Sequence, residues 1–95
     1  MASQADQSVT REVQIANKLG LHARPAMQLV ELANRFKAAV TVSKEAQIVD
    51  GKSIMQVMLL AATCGTDLVL TADGPDAADA IEALAELIER KFDEE

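Results

Sequence analysis

Imidazole ordinarily titrates at about 6.5, so histidine is the side chain best suited to serve as a neutral nitrogen nucleophile near neutrality. This chain has one histidine, His22, within Leu21-His22-Ala23-Arg24-Pro25. Proline is tolerated in the first turn of a helix and not in its interior, so a helix must begin near Pro25 and the residues before it lie at the helix mouth. The first N–H groups of a helix point outward there without partners. A helix N-terminus with an arginine beside it suits a dianion. With an imidazole in the same place, the group can accept a phosphoryl on His22 and hold it. Arg24 and the backbone amides near Ala23 and Arg24 would stabilise the equatorial oxygens, which is most of what phosphoryl transfer requires. No carboxylate lies in the immediate segment, and none is needed as a base, because neutral imidazole already carries a free lone pair. The plainer alternative for a single histidine is a packed or merely exposed side chain.

The elements that must position this segment follow from periodicity. Val9, Arg11, Val13 and Ile15 alternate with polar residues, as in a half-buried strand, and Asn17-Lys18-Leu19-Gly20 breaks the pattern with turn residues. Ala26, Leu29, Val30, Ala33 and Phe36 then form one helical face. Val40 and Val42, followed after a polar gap by Gln47-Ile48-Val49, read as a hairpin. Asp50-Gly51-Lys52 is a turn, and Ser53 is placed as the N-cap of a second helix with the stripe Ile54, Val57, Met58 and Ala61, ending at Cys64-Gly65. Leu68-Val69-Leu70 is a continuous apolar run, expected to be a central strand. Asp73-Gly74-Pro75-Asp76 opens a last helix, with Pro75 in its first turn and Asp76 and Asp79 near the positive end of its dipole. Its stripe runs through Ala77, Ala80, Ile81, Leu84, Leu87, Ile88 and the alkyl stem of Lys91. The order β-α-β-β-α-β-α predicts an α+β fold, three helices on one face of a four-stranded, mainly antiparallel sheet.

Composition narrows the partners. The chain has 95 residues, enough for one domain with one core, and 49% of them are apolar with only two Phe and no Trp or Tyr. No apolar run approaches the ~20 residues of a membrane span. The opening residues, Met1 to Gln7, are polar and do not resemble a secretory signal. The lone Cys64 suits a reducing cytoplasm, and an inert thiol at a helix end is its expected role. The formal net charge is −6, and with few aromatics for stacking this argues against nucleic acid. The charge is uneven. Residues 1–60 carry seven basic and five acidic side chains, whereas residues 61–95 carry two basic and ten acidic ones. The half containing His22 is therefore slightly positive, and the acidic face of the last helix reads as solvated surface. Residues 1–8 read as an arm, 9–92 as the domain and 93–95 as an acidic C-terminal tail.

The segment Leu19-Gly20-Leu21-His22-Ala23-Arg24-Pro25-Ala26 closely resembles the active-site motif of the phosphocarrier protein HPr family. A second segment, Gly51-Lys52-Ser53-Ile54-Met55, resembles the family's regulatory-serine motif, with Ser53 placed 31 residues after His22. The resemblance extends from about Val9 to Phe92. It implies an open-faced β-sandwich and a phosphocarrier with no turnover of its own, needing neither cofactor nor metal. His22 would be phosphorylated on Nδ1 by the phosphohistidine of Enzyme I, itself charged by phosphoenolpyruvate, and would donate to an enzyme IIA-type acceptor, with Arg24 stabilising the transferred group. Ser53 would be open to an ATP-dependent HPr kinase/phosphorylase. Leu19 before Gly20, and Gln56 where many sugar-system members carry Gly, depart from the sugar branch and resemble the nitrogen-related branch, NPr, at least as closely.

Ser53 also has a purely structural reading as an N-cap hydroxyl. Ile54, Met55, Val57, Met58, Leu59 and Leu60 are too many apolar residues for the buried face of one short helix, so part of the set is expected to lie exposed beside His22. By resemblance, Ile54 and Met58 belong to a docking patch. Lys18, Arg24 and Lys52 would supply a basic rim for acidic partners, with solvated surface the plainer reading of Lys18 and Lys52. A monomer is the simplest state for such a carrier. Two other functions fit the same chain: a regulatory binding module acting through docking and Ser53 phosphorylation, and a phosphate-binding module with an incidental histidine. The intact set His22, Arg24 and Pro25 favours the carrier.

Overall fold

The computed structural model describes residues 8–94. Of the arm expected over residues 1–8, only Ser8 falls within them, and it opens the first strand. The elements are β1 (Ser8–Gln14), α1 (Ala23–Ala33), β2 (Ala39–Lys44), β3 (Gln47–Asp50), α2 (Ile54–Leu59), β4 (Asp67–Asp73) and α3 (Ala77–Glu89). The expected order is therefore observed. The sheet runs β1-β4-β2-β3 with every neighbouring pair antiparallel. β4 is central, as its apolar run implied, but only Leu68, Leu70 and Ala72 point into the core, while Val69 and Thr71 lie half-buried on the other face. Val13, Val40, Val42 and Val49 bring the other strands to the same core face. The helices cover it with Ala26, Leu29 and Ala33 from α1, Val57 from α2, and Ala80, Ile81, Leu84 and Ile88 from α3.

Three local expectations are corrected. α2 ends at Leu59 rather than near Cys64-Gly65. Ala61 takes a φ of 48°, which no right-handed helix contains. Two contacts pull the chain off the helix axis: the Lys44 ammonium donates to Leu60 O at 2.9 Å, and Leu21 N–H donates to Ala62 O at 2.8 Å. The buried residues of this segment are accordingly Val57, Leu60 and Ala62, with Ile54 half-buried and Met58 and Ala61 exposed.

Pro75 precedes the N-cap of α3 instead of standing in its first turn, and the N-cap, Asp76, does not cap its own helix. Its carboxylate accepts from Lys37 N–H at 2.9 Å and Ala38 N–H at 2.8 Å, tying the start of α3 to the segment before β2. The hydrogen bond from Lys37 is the largest influence holding this carboxyl below its ordinary value, against an opposing cost of burial.

At its other end α3 stops at Glu89, and Lys91 does not extend its stripe. Lys91, Phe92 and Asp93 have φ values of 61°, 55° and 59°, a left-handed turn that swings the Phe92 ring into the core, where it is 1% exposed.

Candidate functional site

The site begins with a turn that only glycine fits. Gly20 has a φ of +71°, and a Cβ there would lie 2.6 Å from Ala62 O. Leu21, buried and bonded to that carbonyl, brings the next residue to the mouth of α1. His22 is the N-cap of α1, with extended backbone angles and no side-chain hydrogen bond to the helix. Its carbonyl accepts the first helical bond from Ala26 N–H at 3.0 Å. The amides of Ala23 and Arg24 find no acceptor among the described residues, and Pro25 has none to offer. The Arg24 guanidinium is exposed and makes no ion pair or hydrogen bond among the described residues. The expected combination of imidazole, arginine and open helix amides is therefore assembled at one point.

One partner there is absent from the sequence reading. Glu94 folds back so that its Oε2 stands 2.8 Å from His22 Nε2, while its Oε1 accepts from Asn17 Nδ2 at 2.9 Å. The acidic tail assigned to residues 93–95 thus starts inside the site: the Glu94 side chain is only 16% exposed, against 37% for His22. The Asn17 bond is foremost in holding the Glu94 carboxyl below its ordinary 4.5, assisted by His22 and Arg24 and opposed by burial. The group is ionised at neutral pH, can only accept, and so requires the proton on Nε2. In the neutral ring Nδ1 is then left with the lone pair. Asn17 is fully buried, also donates to Gly20 O at 2.7 Å, and leaves its Oδ1 without a partner. Lys18, His22, Arg24, Gln28, Phe92 and Glu94 border one open hollow. The sequence marks Asn17 only as a turn former and Glu94 only as part of an acidic tail. The sequence did hold one signal, a lone aromatic, Phe92, inside an otherwise polar chain end.

The second motif lies apart from the first. Ser53 caps α2, its Oγ accepting from Gln56 N–H at 3.3 Å, and Gln56 Oε1 accepts from Asp50 N–H at 2.9 Å. Asn34, at the C-terminal end of α1, donates to Lys52 O at 3.2 Å. His22 and Ser53 are therefore separated by the length of α1, roughly 16 Å for eleven residues. Lys52 does not extend a basic rim: its ammonium donates to Phe36 O at 2.7 Å, closing the end of α1. Of the apolar set on α2, Met55 and Leu59 are 77% and 68% exposed, and Met58 is 43% exposed. Leu19 and Met27, near His22, are exposed as well. The Cys64 thiol is exposed, 3.8 Å from Ala16 O. Among the described residues no cluster of His, Cys, Asp and Glu could hold a metal ion, and no helix is long and apolar enough to cross a membrane.

Known proteins resemble this chain in sequence and in fold. Residues 9–90 match the family model described as the PTS HPr component phosphorylation site. The chain belongs to the HPr phosphocarrier family. It is 52% identical over 85 residues to the phosphocarrier protein HPr of Pseudomonas putida, covering 88% of this chain and 94% of that one. Identity to HPr of Cupriavidus necator is 48% over 84 residues, again covering 88% and 94%. Among solved structures, HPr-C-His from Thermoanaerobacter tengcongensis superposes with a TM-score of 0.86 at 45% identity, covering 94% of this chain and 98% of that one. Crh of Bacillus subtilis, described as a swapped dimer, gives 0.71 at 41% identity, with 87% and 95% covered. The expected open-faced α+β sandwich is thus the family fold. As an HPr-type phosphocarrier the protein is a component of the phosphotransferase system and not an enzyme with turnover of its own.

Proposed function

We propose that His22 is the residue that carries the phosphoryl group. It would be taken from the phosphohistidine of Enzyme I and passed to an enzyme IIA-type acceptor. The observation that carries this reading is the imidazole at the N-cap of α1 with its Nε2 held by Glu94 at 2.8 Å, beside the open amides of Ala23 and Arg24. The Nδ1 lone pair attacks phosphorus, the donor's N–P bond breaks, and its electron pair returns to the donor imidazole. The two amides and the Arg24 guanidinium stabilise the equatorial oxygens during transfer. The exposed Met55, Met58 and Leu59, with half-buried Ile54, supply an adaptable apolar surface for successive partners. Arg24 and Lys18 provide positive charge beside it, whereas Lys52 is committed to a backbone carbonyl. Ser53 serves first as the cap of α2; its use by a kinase is a separate question of regulation. A cytoplasmic monomer presenting one face to each partner in turn suits the role.

The test is incubation with phosphoenolpyruvate and catalytic Enzyme I, followed by intact mass measurement. The expected product gains one phosphate, loses it in acid, and does not form with His22→Ala. Absence of any gain with Enzyme I from either the sugar or the nitrogen branch would defeat the reading. Treatment with ATP and cell extract checks Ser53, because phosphoserine survives acid.

A further inference from the structure

We propose that the uncovered face of the sheet is a second docking surface, separate from the one around His22, and that its occupant is a protein presenting lysine or arginine. The sheet sorts the charged residues of its four strands by sign. Both bases, Arg11 and Lys44, turn to the helix side: the Arg11 guanidinium pairs with Glu89 of α3 at 2.9 Å, and the Lys44 ammonium donates to Leu60 O at 2.9 Å. All the acids, Glu12, Asp50, Asp67 and Asp73, alternate to the opposite side, in step with Thr10, Thr41, Val69 and Thr71. These four carboxylates are exposed, and none pairs with a cationic side chain among the described residues. The helix α3 is acidic too, but its Glu89 and Glu86 already face Arg11 and Arg90. The sheet is therefore the face whose negative charge is left unneutralised.

The carboxylates surround an uncharged centre. Register brings Thr10, Thr71 and Thr41 into one row across β1, β4 and β2, with the Thr10 and Thr71 hydroxyls 3.4 Å apart. The next row holds Glu12, Val69, Ser43 and Ile48, and Ile48 is 69% exposed there. Short uncharged side chains inside a charged rim have the anatomy of a protein interface. At one end of the face, Glu12, Ser43, Glu45, Thr66, Asp67 and Val69 border a hollow. Lys44 borders it as well, with its ammonium drawn away to Leu60 O. Glu12 and Asp67 are diagonal neighbours on adjacent strands, about 7–8 Å apart. A cationic head fits between them while its alkyl stem lies on Val69. Charge thus selects a basic occupant here, whereas Lys18 and Arg24 select acidic ones beside His22. Partners of opposite sign on opposite faces do not exclude one another, so a protein held on the sheet leaves His22 accessible.

Deca-lysine serves as the probe, titrated into the nitrogen-15-labelled protein at about 0.01 M ionic strength, where exposed charges are little screened. Amide shift changes are expected to centre on Glu12, Ser43, Ile48, Val69 and Thr71. The double variant Glu12→Gln with Asp67→Asn, which keeps side-chain shape, is expected to weaken binding about tenfold. A matched pair on α3, Asp79→Asn with Glu82→Gln, removes the same charge and is expected to leave the affinity within about twofold. Shift changes centred on α3, an equal loss of affinity in the two double variants, or no binding by the unmodified protein would each overturn the proposal. None of these readouts depends on phosphoryl uptake, so the docking face and the role of His22 stand or fall separately.

Discussion

α1 and α2 begin with two different uses of an N-cap. At α2, Ser53 spends its hydroxyl on its own helix, accepting from Gln56 N–H. At α1, His22 gives its helix no side-chain bond, its ring turns to Glu94, and the Ala23 and Arg24 amides remain open. The first arrangement satisfies an orphan donor, as capping ordinarily does. On the proposed function the second withholds that satisfaction where an anion would be received. On that reading a helix start left locally incomplete marks the working end, whereas the completed one is architecture first.

The largest difference between the two ends concerns phosphoryl uptake. His22→Ala is expected to lose all uptake from Enzyme I, while Ser53→Ala retains it at the level of the unmodified protein; uptake by both or by neither would erase the distinction. Next in size is a change that reaches the α1 end through the core. Phe92→Ala should cost about 3–5 kcal/mol in urea unfolding and release Glu94, while the hydrogen bond between Gln56 and Ser53 at α2 stays protected from exchange. Smaller again, Ser53→Ala should cost about 1 kcal/mol of global stability, and Ser53→Asp, which keeps an acceptor oxygen, should recover most of it. The smallest effect comes from acid. Asp76 and Glu94 are both held below their ordinary values of 3.8 and 4.5, so each contributes stability that is complete above those values and is lost as pH falls through the lowered ones. Unfolding midpoints measured from pH 5 downward should fall less steeply for Asp76→Asn and Glu94→Gln than for the unmodified protein.

Most of the scaffold was legible because it is local. The alternation in β1, the stripe of α1 and the turn residues around Gly51 each specify an element within a few residues. The end of α2 was not, because Leu59, Leu60, Ala61 and Ala62 all favour helix. What stops it is tertiary, the claims of Lys44 and Leu21 on the carbonyls of Leu60 and Ala62. Asp76 shows the same limit: it stands at the start of α3 as its charge implied, but its partners came from the segment before β2. His22 and Arg24 were legible through Pro25, which sets the helix start. Glu94 was not, since an acidic chain end ordinarily stays in water and only the packing of Phe92 brings this one back.

That chain end also holds a tension. Left-handed angles cost an ordinary residue roughly 1–2 kcal/mol, and three such residues follow one another from Lys91 to Asp93. Burial of one aromatic ring, worth about 1.5–3 kcal/mol, is the main opposing force. Strain set against burial leaves the segment less stable than the sheet, and it is expected to open as a local unit first. The interval for which the imidazole keeps its carboxylate is then a matter of how seldom one ring leaves the core. On this view, oil rather than charge is the clock of the site.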